Sequence, residues 1–363
     1  MTAETRHPEA AAGAPQRRRV AVMRLSALGD VAMALPLLYA ACREYPEVNF
    51  VLVTKKAFTG LATQKPQNLT LLAADTKGRH KGPTGLLQLA RDINCDDFVD
   101  LHDVLRSKVV RNLLRMGGSR VTVFDKARAA KRALTAKGAA RAKAISPTTE
   151  RYARALEKAG YRVGELSPLP VDRSQYTQHD IPAKKEGEKW VGIAPSAAHA
   201  AKVYPIGQLH LAAKKLHDAN PGLRIFLFGG RDEAPELEVF AHDLDRATVV
   251  AGKGLGFAGE IALMADLDVM VSMDSGNMHL AAATGASSVS IWGATHPAAG
   301  FGPVTCRPGQ RHVFLQNNSL DCRPCSIFGN KPCRRVGEGE VPPCMQAVTP
   351  DMIAGAVTAL LAD

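Results

Sequence analysis

The sequence predicts an α/β protein of two doubly wound, Rossmann-like domains that face each other across a cleft. Three observations carry that expectation. The chain has 363 residues and 38.7 kDa, more than one ordinary core accommodates and about right for two domains of typical size. Short apolar runs alternate with helical patterns in both halves, the mark of parallel sheets covered by helices. Between the halves, Ser167 to Lys189 is polar, holds several Pro, Lys and Glu residues and lacks sustained periodicity, as a linker does. The expected organisation is a disordered tail at 1–18, a first domain at 19–180, a second at 181–349 with a cysteine-rich loop at 320–345, and a closing helix at 350–363.

Element by element, the run Val20 to Met23 reads as a strand, Ser26-Ala27-Leu28-Gly29-Asp30 as a loop, and the spacing of Val31, Leu35, Leu38 and Cys42 as a helix. Strands follow at Asn49 to Val53, Asp97 to Leu101 and Arg120 to Phe124, with helical stretches between them. The second half reads more clearly. Its strands are Trp190–Ala194, Arg224–Phe228, Ala247–Val250, Asp268–Met273 and Ser287–Trp292, and its helices are Gln208–Asp218, Pro235–Leu244, Gly259–Ala265 and Met278–Thr284. Asp351 to Leu361 is a last helix, with Pro350 at its start, where a missing amide is harmless.

Composition narrows the classes. Hydrophobic residues at 46% and charged residues at 22% exclude disordered and fibrous chains. No stretch reaches the roughly 18 apolar residues of a spanning helix, and the first 17 residues lack the apolar core of a secretory signal. Seven cysteines, an odd count without an export signal, point to the reducing cytoplasm. With 46 Lys and Arg against 35 Asp and Glu, the charge of +11 attracts polyanions, anionic glycolipids or an anionic membrane face.

In parallel sheets ligands sit beyond the carboxyl ends of strands. Three loops match that place. The first ends in Asp30, a carboxylate at a helix N-terminus, where an N-capping role competes with a chemical one. The second, Ala194 to Lys202, combines small residues with Ser196 and Lys202, a hydroxyl and a cation suited to a diphosphate. The third, Met273 to His279, sets Ser275 and His279 on one helical face beside free amides. Gly254 to Gly259 fits GxGxxG, with Asp274 about twenty residues on, and alone suggests an NAD enzyme. The strand before it is short and set apart by Ala251-Gly252-Lys253, and no catalytic constellation accompanies it. Asp243-Leu244-Asp245 and Asp266-Leu267-Asp268 imitate the metal-binding DxD of sugar transferases but read as surface carboxylates. Cys322, Cys325, Cys333 and Cys344, spaced C-x2-C-x7-C-x10-C, suit a structural zinc site, against a set of reduced thiols.

The segments RLSALGDVAMALPLL, Lys202 to Pro205, FGGRDE at Phe228 to Glu233 and SMDSGNMHLAAATG at Ser272 to Gly285 resemble glycosyltransferase family 9, the ADP-heptose:lipopolysaccharide heptosyltransferases, from about Arg19 to the C-terminus. The resemblance implies a GT-B fold, an inverting transfer and a donor held mainly by the second domain; because no paired carboxylates are expected at a strand's carboxyl end, cationic groups are expected to replace a metal cofactor. It implies Asp30 as catalytic base, with Arg24, Ser26 and Gly29 in the acceptor-side loop. Donor contacts are implied for Ser196, Lys202, Asp274, Ser275, Gly276 and His279, and for Glu233 or its neighbour Asp232. The implied partners are a nucleotide-diphosphate sugar and an anionic glycolipid or lipopolysaccharide precursor, met in the cytoplasm at the inner membrane face. The stretch Lys126 to Lys143 departs from the family's acceptor side and reads as solvated basic surface. Against this stand a non-catalytic nucleotide-sugar or glycolipid binding module, which Asp30 argues against, and a nucleic-acid binder, which 5% aromatics and the lack of a stacking or zinc-finger pattern disfavour.

Overall fold

The computed structural model describes residues 17–136, 143–337 and 339–362. Most of the expected tail and part of the basic stretch lie outside them. The first half runs β1 (Arg19–Met23), α1 (Leu28–Glu44), β2 (Asn49–Lys55), β3 (Leu69–Ala74), α2 (Gly82–Ile93), β4 (Asp97–Asp100), α3 (Leu105–Met116), β5 (Arg120–Val123), α4 (Arg128–Leu134) and α5 (Thr148–Lys158). A short α6 (Ser174–Thr177) interrupts the connection. The second half follows as β6 (Trp190–Ala194), α7 (Ile206–Ala219), β7 (Arg224–Leu227), α8 (Ala234–Ala241), β8 (Ala247–Val249), α9 (Gly256–Ala265), β9 (Val269–Met273), α10 (Gly276–Ala283), β10 (Ser287–Trp292), β11 (His312–Gln316), α11 (Pro343–Gln346) and α12 (Pro350–Leu361).

Both sheets are parallel, with strand orders β3-β2-β1-β4-β5 and β11-β10-β9-β6-β7-β8. Strand order reverses between β1 and β4 in one sheet and between β6 and β9 in the other. Such reversals splay the following loops apart and leave a crevice for ligands. The fold is thus α/β with two doubly wound units, as the sequence predicts. Two strands escape that reading: β3, and β11, which lies beyond the last expected strand.

The halves share apolar packing. Helix α1 is buried continuously from Val31 to Cys42, including Pro36 in its interior, because it lies between its own sheet and α10 of the other half. One apolar cluster accordingly joins Leu35 and Leu38 to Leu280, Ala281 and Ile261. The connection is also tied down. Arg173 reaches both oxygens of Asp266 at 2.7–3.0 Å, Tyr176 donates to the same carboxylate at 2.8 Å, and Lys184 pairs with Asp268 at 2.7 Å. Asp266 and Asp268 therefore anchor the connection and are not free surface carboxylates; Asp243 of the other DxD look-alike pairs with His210 at 3.1 Å.

Candidate functional site

Asp30 is the third residue of α1, not its N-cap, and its Oδ2 accepts the Ala27 amide at 3.0 Å. The same oxygen pairs with the Arg24 guanidinium, which also donates to the Leu101 carbonyl at the end of β4. Arg24 thus ties the two sides of the first switch point together. Tyr152, from α5, places its hydroxyl 3.5 Å from Asp30 Oδ1 and its ring beneath Arg24, 5.8 Å away. Ser26 and Gly29 lie half-buried in the same loop and first turn.

Around this carboxylate stand cations that sequence reasoning missed. Arg151 is buried and donates to the carbonyls of Ser146 and Asp125 and to the Thr148 hydroxyl. Lys126 donates to the Asp103 carbonyl at 2.8 Å, and Arg128 pairs with the Asp103 carboxylate. Among the described residues the Lys131 ammonium has no hydrogen-bonding partner; it lies 4.3 Å from the centre of the Phe301 ring and 5.5 Å from that of Phe328. Burial, reinforced by Arg151, pushes its pKa down to about 8 against the pull of Asp30. Within the described part of the basic stretch Lys126 and Lys131 turn inward, whereas Arg128 and Arg132 stay exposed in a helix that buries no residue, in keeping with the solvated-surface expectation. No residue-by-residue signal announces this, because the groups are scattered through the chain and meet only by topology.

At the second switch point, Lys202 follows β6 and reaches Asp274, which follows β9: Nζ lies 2.8 Å from Asp274 Oδ2 and 3.2 Å from its carbonyl. Ser196 stands half-buried in the loop that Lys202 ends. Ser275 occupies the N-cap position of α10, yet its hydroxyl makes no capping bond and is buried without a partner. Since buried hydroxyls are normally hydrogen-bonded, this one and the adjacent unpaired amides form a ready receptor for an oxyanion. His279 is buried with Nδ1 unpartnered, and burial pushes its pKa down to about 4, so its imidazole is neutral. Glu233 lies after β7, where it accepts the Gly230 amide at 2.6 Å; no contact joins it to the Lys202–Asp274 pair.

The two sites meet. A Cβ on Gly29 would fall 2.7 Å from His279 Cδ2, and one on Gly276 would strike Leu28. These two glycines let the N-termini of α1 and α10 abut, and the charges of Asp30, Asp274 and Lys202 all act on His279. A cavity of about 500 Å³ lies elsewhere, near the C-terminal end of α1, lined by Arg43, Glu44, Glu165, Ser167 and Arg307. We place the site at the switch points because most of the unpartnered buried polar atoms are there, whereas Arg43 is bonded within the cavity's own wall and Arg307 to the Gly285 carbonyl.

Two minor readings of the sequence gain no support from the geometry. The GxGxxG stretch follows β8, the sheet's edge strand and the one farthest from the β6/β9 reversal along that side, so it does not occupy the dinucleotide position. Among the described residues no group of three or more His, Cys, Asp or Glu side chains is arranged to hold a metal ion, and Cys322, Cys325, Cys333 and Cys344 are free thiols, the arrangement of the reduced-thiol alternative. Instead, Arg323 organises that loop by donating to the carbonyls of Trp292, Gly293, Thr295 and Asn317, while burial pushes the Cys325 and Cys344 thiols up.

Comparison with known proteins gives one family. Residues 87–326 match the model of glycosyltransferase family 9 (heptosyltransferase). Lipopolysaccharide heptosyltransferase 1 of Pseudomonas aeruginosa is 24% identical over 324 residues, which cover 85% of this chain and 86% of that protein. Among solved structures, a family 9 glycosyl transferase from Veillonella parvula superposes with a TM-score of 0.70 at 19% identity, covering 97% of this chain and 99% of that one. ADP-heptose lipopolysaccharide heptosyltransferase II of E. coli gives 0.65 at 18%, covering 95% and 98%. The E. coli heptosyltransferase WaaC, solved with ADP, gives 0.61 at 17%, covering 94% and 99%. These structural likenesses concern the fold, which is that of GT-B heptosyltransferases.

Proposed function

The chain belongs to glycosyltransferase family 9, and from that premise we propose that it moves a heptose, with inversion, from ADP to a hydroxyl of a lipopolysaccharide core or related anionic glycolipid. In this reading residues 19–180 receive the acceptor and 181–349 the donor, with 350–363 closing the fold. The reaction runs in the cytoplasm, with the protein resting peripherally on the inner membrane face; among the described residues no helix is long and apolar enough to cross a membrane.

The observation that carries the proposal is the abutment of the α1 and α10 N-termini, which brings a carboxylate on one half next to an oxyanion receptor on the other. In a single displacement the base and the leaving group must stand on opposite faces of the reacting carbon, and two facing halves supply that. Asp30, oriented by Arg24 and Ala27, takes the acceptor's proton as its oxygen attacks the anomeric carbon. The departing diphosphate gathers negative charge, and Lys202, Ser275, Gly276 and the remaining amides of α10 offset it without a metal. Ser196, Asp274, His279 and Glu233 complete the donor contacts, and Arg24, Ser26 and Gly29 line the acceptor side.

The test is to incubate the purified protein with ADP-, UDP- and GDP-sugars and a lipopolysaccharide core precursor, reading nucleotide release and product mass. ADP-heptose should give a product one heptose heavier, with EDTA leaving the rate unchanged. Transfer from UDP- or GDP-sugars alone would overturn the donor assignment. Loss of activity in EDTA with recovery in magnesium, the fold remaining intact, would overturn the role of Lys202.

A further inference from the structure

The cysteine-rich segment has no part in the roles above, yet one of its turns touches both sides of the site. Ser326 is buried; its amide donates to the Ala294 carbonyl at 3.2 Å, and its hydroxyl accepts the amides of Phe328 at 3.3 Å and Gly329 at 2.9 Å. The Ala294 amide in turn donates to the Ala201 carbonyl, next to Lys202, at 3.2 Å. Gly329 has φ +76°, and a Cβ there would fall 2.6 Å from Lys202 Cγ and 2.7 Å from Cε. Glycine is required both by that backbone conformation and by the lysine stem lying against it. One residue earlier, Phe328 is half exposed and leans on Phe301, ring centres 5.8 Å apart, and these two rings hold the ammonium of Lys131. Lys131 belongs to the other half of the chain and has no hydrogen-bonding partner, and its charge acts together with those of Asp30, Arg24 and Arg151.

We propose that the turn Ser326–Gly329 is a positioning element of the transfer site: Gly329 sets the Lys202 stem against Asp274 on the donor side, and Phe328, with Phe301, places Lys131 beside Asp30 on the acceptor side. The turn couples the two cations across the cleft. Lys202 is thereby aimed at the diphosphate, and Lys131, whose charge no carboxylate neutralises, faces the anionic part of the acceptor. The aromatic faces suit this task because they attract an ammonium without neutralising it, leaving its charge for the substrate. The inference rests on the transfer reading for its consequences and on the geometry alone for the contacts.

The experiment compares two single variants of the full chain. Gly329→Ala should weaken ADP binding, measured by calorimetry, on the order of 10- to 100-fold, the scale of misplacing a binding group by about an ångström, and leave the acceptor KM near wild type. Phe328→Ala should do the reverse, raising the acceptor KM several-fold with ADP affinity unchanged. Equal losses of both quantities in both variants, or no change in either, overturn the proposal. Phe328 is half exposed, so that variant folds even where Gly329→Ala does not, and its KM-against-affinity split then decides. A readout without substrate separates this inference from the transfer reading. Amine labelling of Lys131, followed by peptide mass against pH, has its midpoint near 8 in the wild type, and Phe328→Ala should move it upward as water reaches the ammonium. An unmoved midpoint overturns the contact even if transfer is confirmed; a moved midpoint upholds it even if the protein binds no ADP.

Discussion

The two switch points share a backbone plan and differ in how they are furnished. Each lies where the order of a parallel sheet reverses, and each sets a helix N-terminus at the crevice. At β1/β4 the crevice is crowded with charge: Arg24, Arg151 and Lys131 act on Asp30 and Lys126 stands beside Asp103, and the arginines and Lys126 are held by backbone carbonyls. At β6/β9 the charges reduce to the pair Lys202–Asp274, and the rest is small: Ser196, Ser275, Gly276. Identical topology therefore does not dictate chemistry. The first site is furnished to hold one carboxylate in a fixed orientation within a positive field; the second leaves hydroxyl and amide groups unpaired for a ligand.

The sharpest way to break this comparison is Asp30→Asn. An asparagine oxygen still accepts the Ala27 amide, so the bond that closes the first turn of α1 survives. A neutral amide cannot take the acceptor's proton, and a positioned base contributes roughly 100- to 10,000-fold to rate. Turnover should fall by that factor while ADP affinity, set by the other switch point, stays put. Retention of more than about a tenth of wild-type turnover, too small a loss for a general base, would reduce Asp30 to a helix cap.

Lys202→Met attacks the other side. It leaves the Asp274 carboxylate buried and unpaired, which costs about 3–5 kcal/mol for a broken buried pair. It also removes a charged contact to the diphosphate worth about 1.5–3 kcal/mol, or roughly 10- to 100-fold in affinity. The double variant Lys202→Met/Asp274→Leu should recover the melting temperature but not ADP binding. Recovery of both would show that the lysine serves the fold alone.

These two variants also mark what the sequence could tell. The β6/β9 site was legible because Lys202 and Asp274 to His279 lie in short contiguous motifs at strand ends, and such motifs survive translation into structure. The acceptor side was not, apart from Asp30 and its loop. Lys131 and Arg151 look like surface residues in a basic run, and only the sheet order brings Lys131 against Phe301, Arg151 against Phe124 and both into the field of Asp30. Arg323 was hidden by the cysteines around it, whose spacing suggests metal more loudly than one arginine suggests a carbonyl clamp. β3 reads Leu-Thr-Leu-Leu-Ala-Ala at the sheet edge, without clear alternation, and β11 is a short, mostly half-exposed edge strand just before the cysteine-rich loop.

The contact between the sites can be tested at Gly29. Propensity alone predicts that Ala at a helical position stabilises by up to about 1 kcal/mol. The structure predicts the opposite sign, because the added methyl meets the ring of buried His279 at 2.7 Å. Overpacking of this kind costs about 1–3 kcal/mol, a fall in melting temperature of about 2–4 °C per kcal/mol for a unit of this size. An unchanged or raised melting temperature would mean that the two N-termini do not abut in solution.

The smallest effect expected is a pH dependence carried by His279. Its pKa is pushed from 6.5 to about 4, chiefly by burial, against the opposing pull of Asp274 and Asp30. The native imidazole is therefore neutral where the unfolded one takes up a proton. A depressed histidine leaves the native state at full strength above about pH 6.5 and costs it stability as pH falls from there toward 4, by about 1.4 kcal/mol per unit at most. His102 acts in the same window, since burial and Arg24 push it down to about 3, and His312 is lowered as well. The carboxylate of Asp97, held down to about 2 by Arg120, Arg18 and Tyr161 despite its burial, loses its contribution only below its unfolded value near 4. Between pH 7 and 4.5 the imidazoles act against Glu260, whose carboxyl burial raises to about 7 and which therefore favours the native state as pH falls, so urea unfolding of each histidine variant is read as a difference from wild type. His279→Gln, which cannot ionise, should flatten the decline by about one proton's worth, and adding His102→Gln should flatten it by about a second. If wild type and His279→Gln lose stability with the same slope, the imidazole is already solvated in the folded protein, and the abutment of α1 on α10 is looser than the geometry shows.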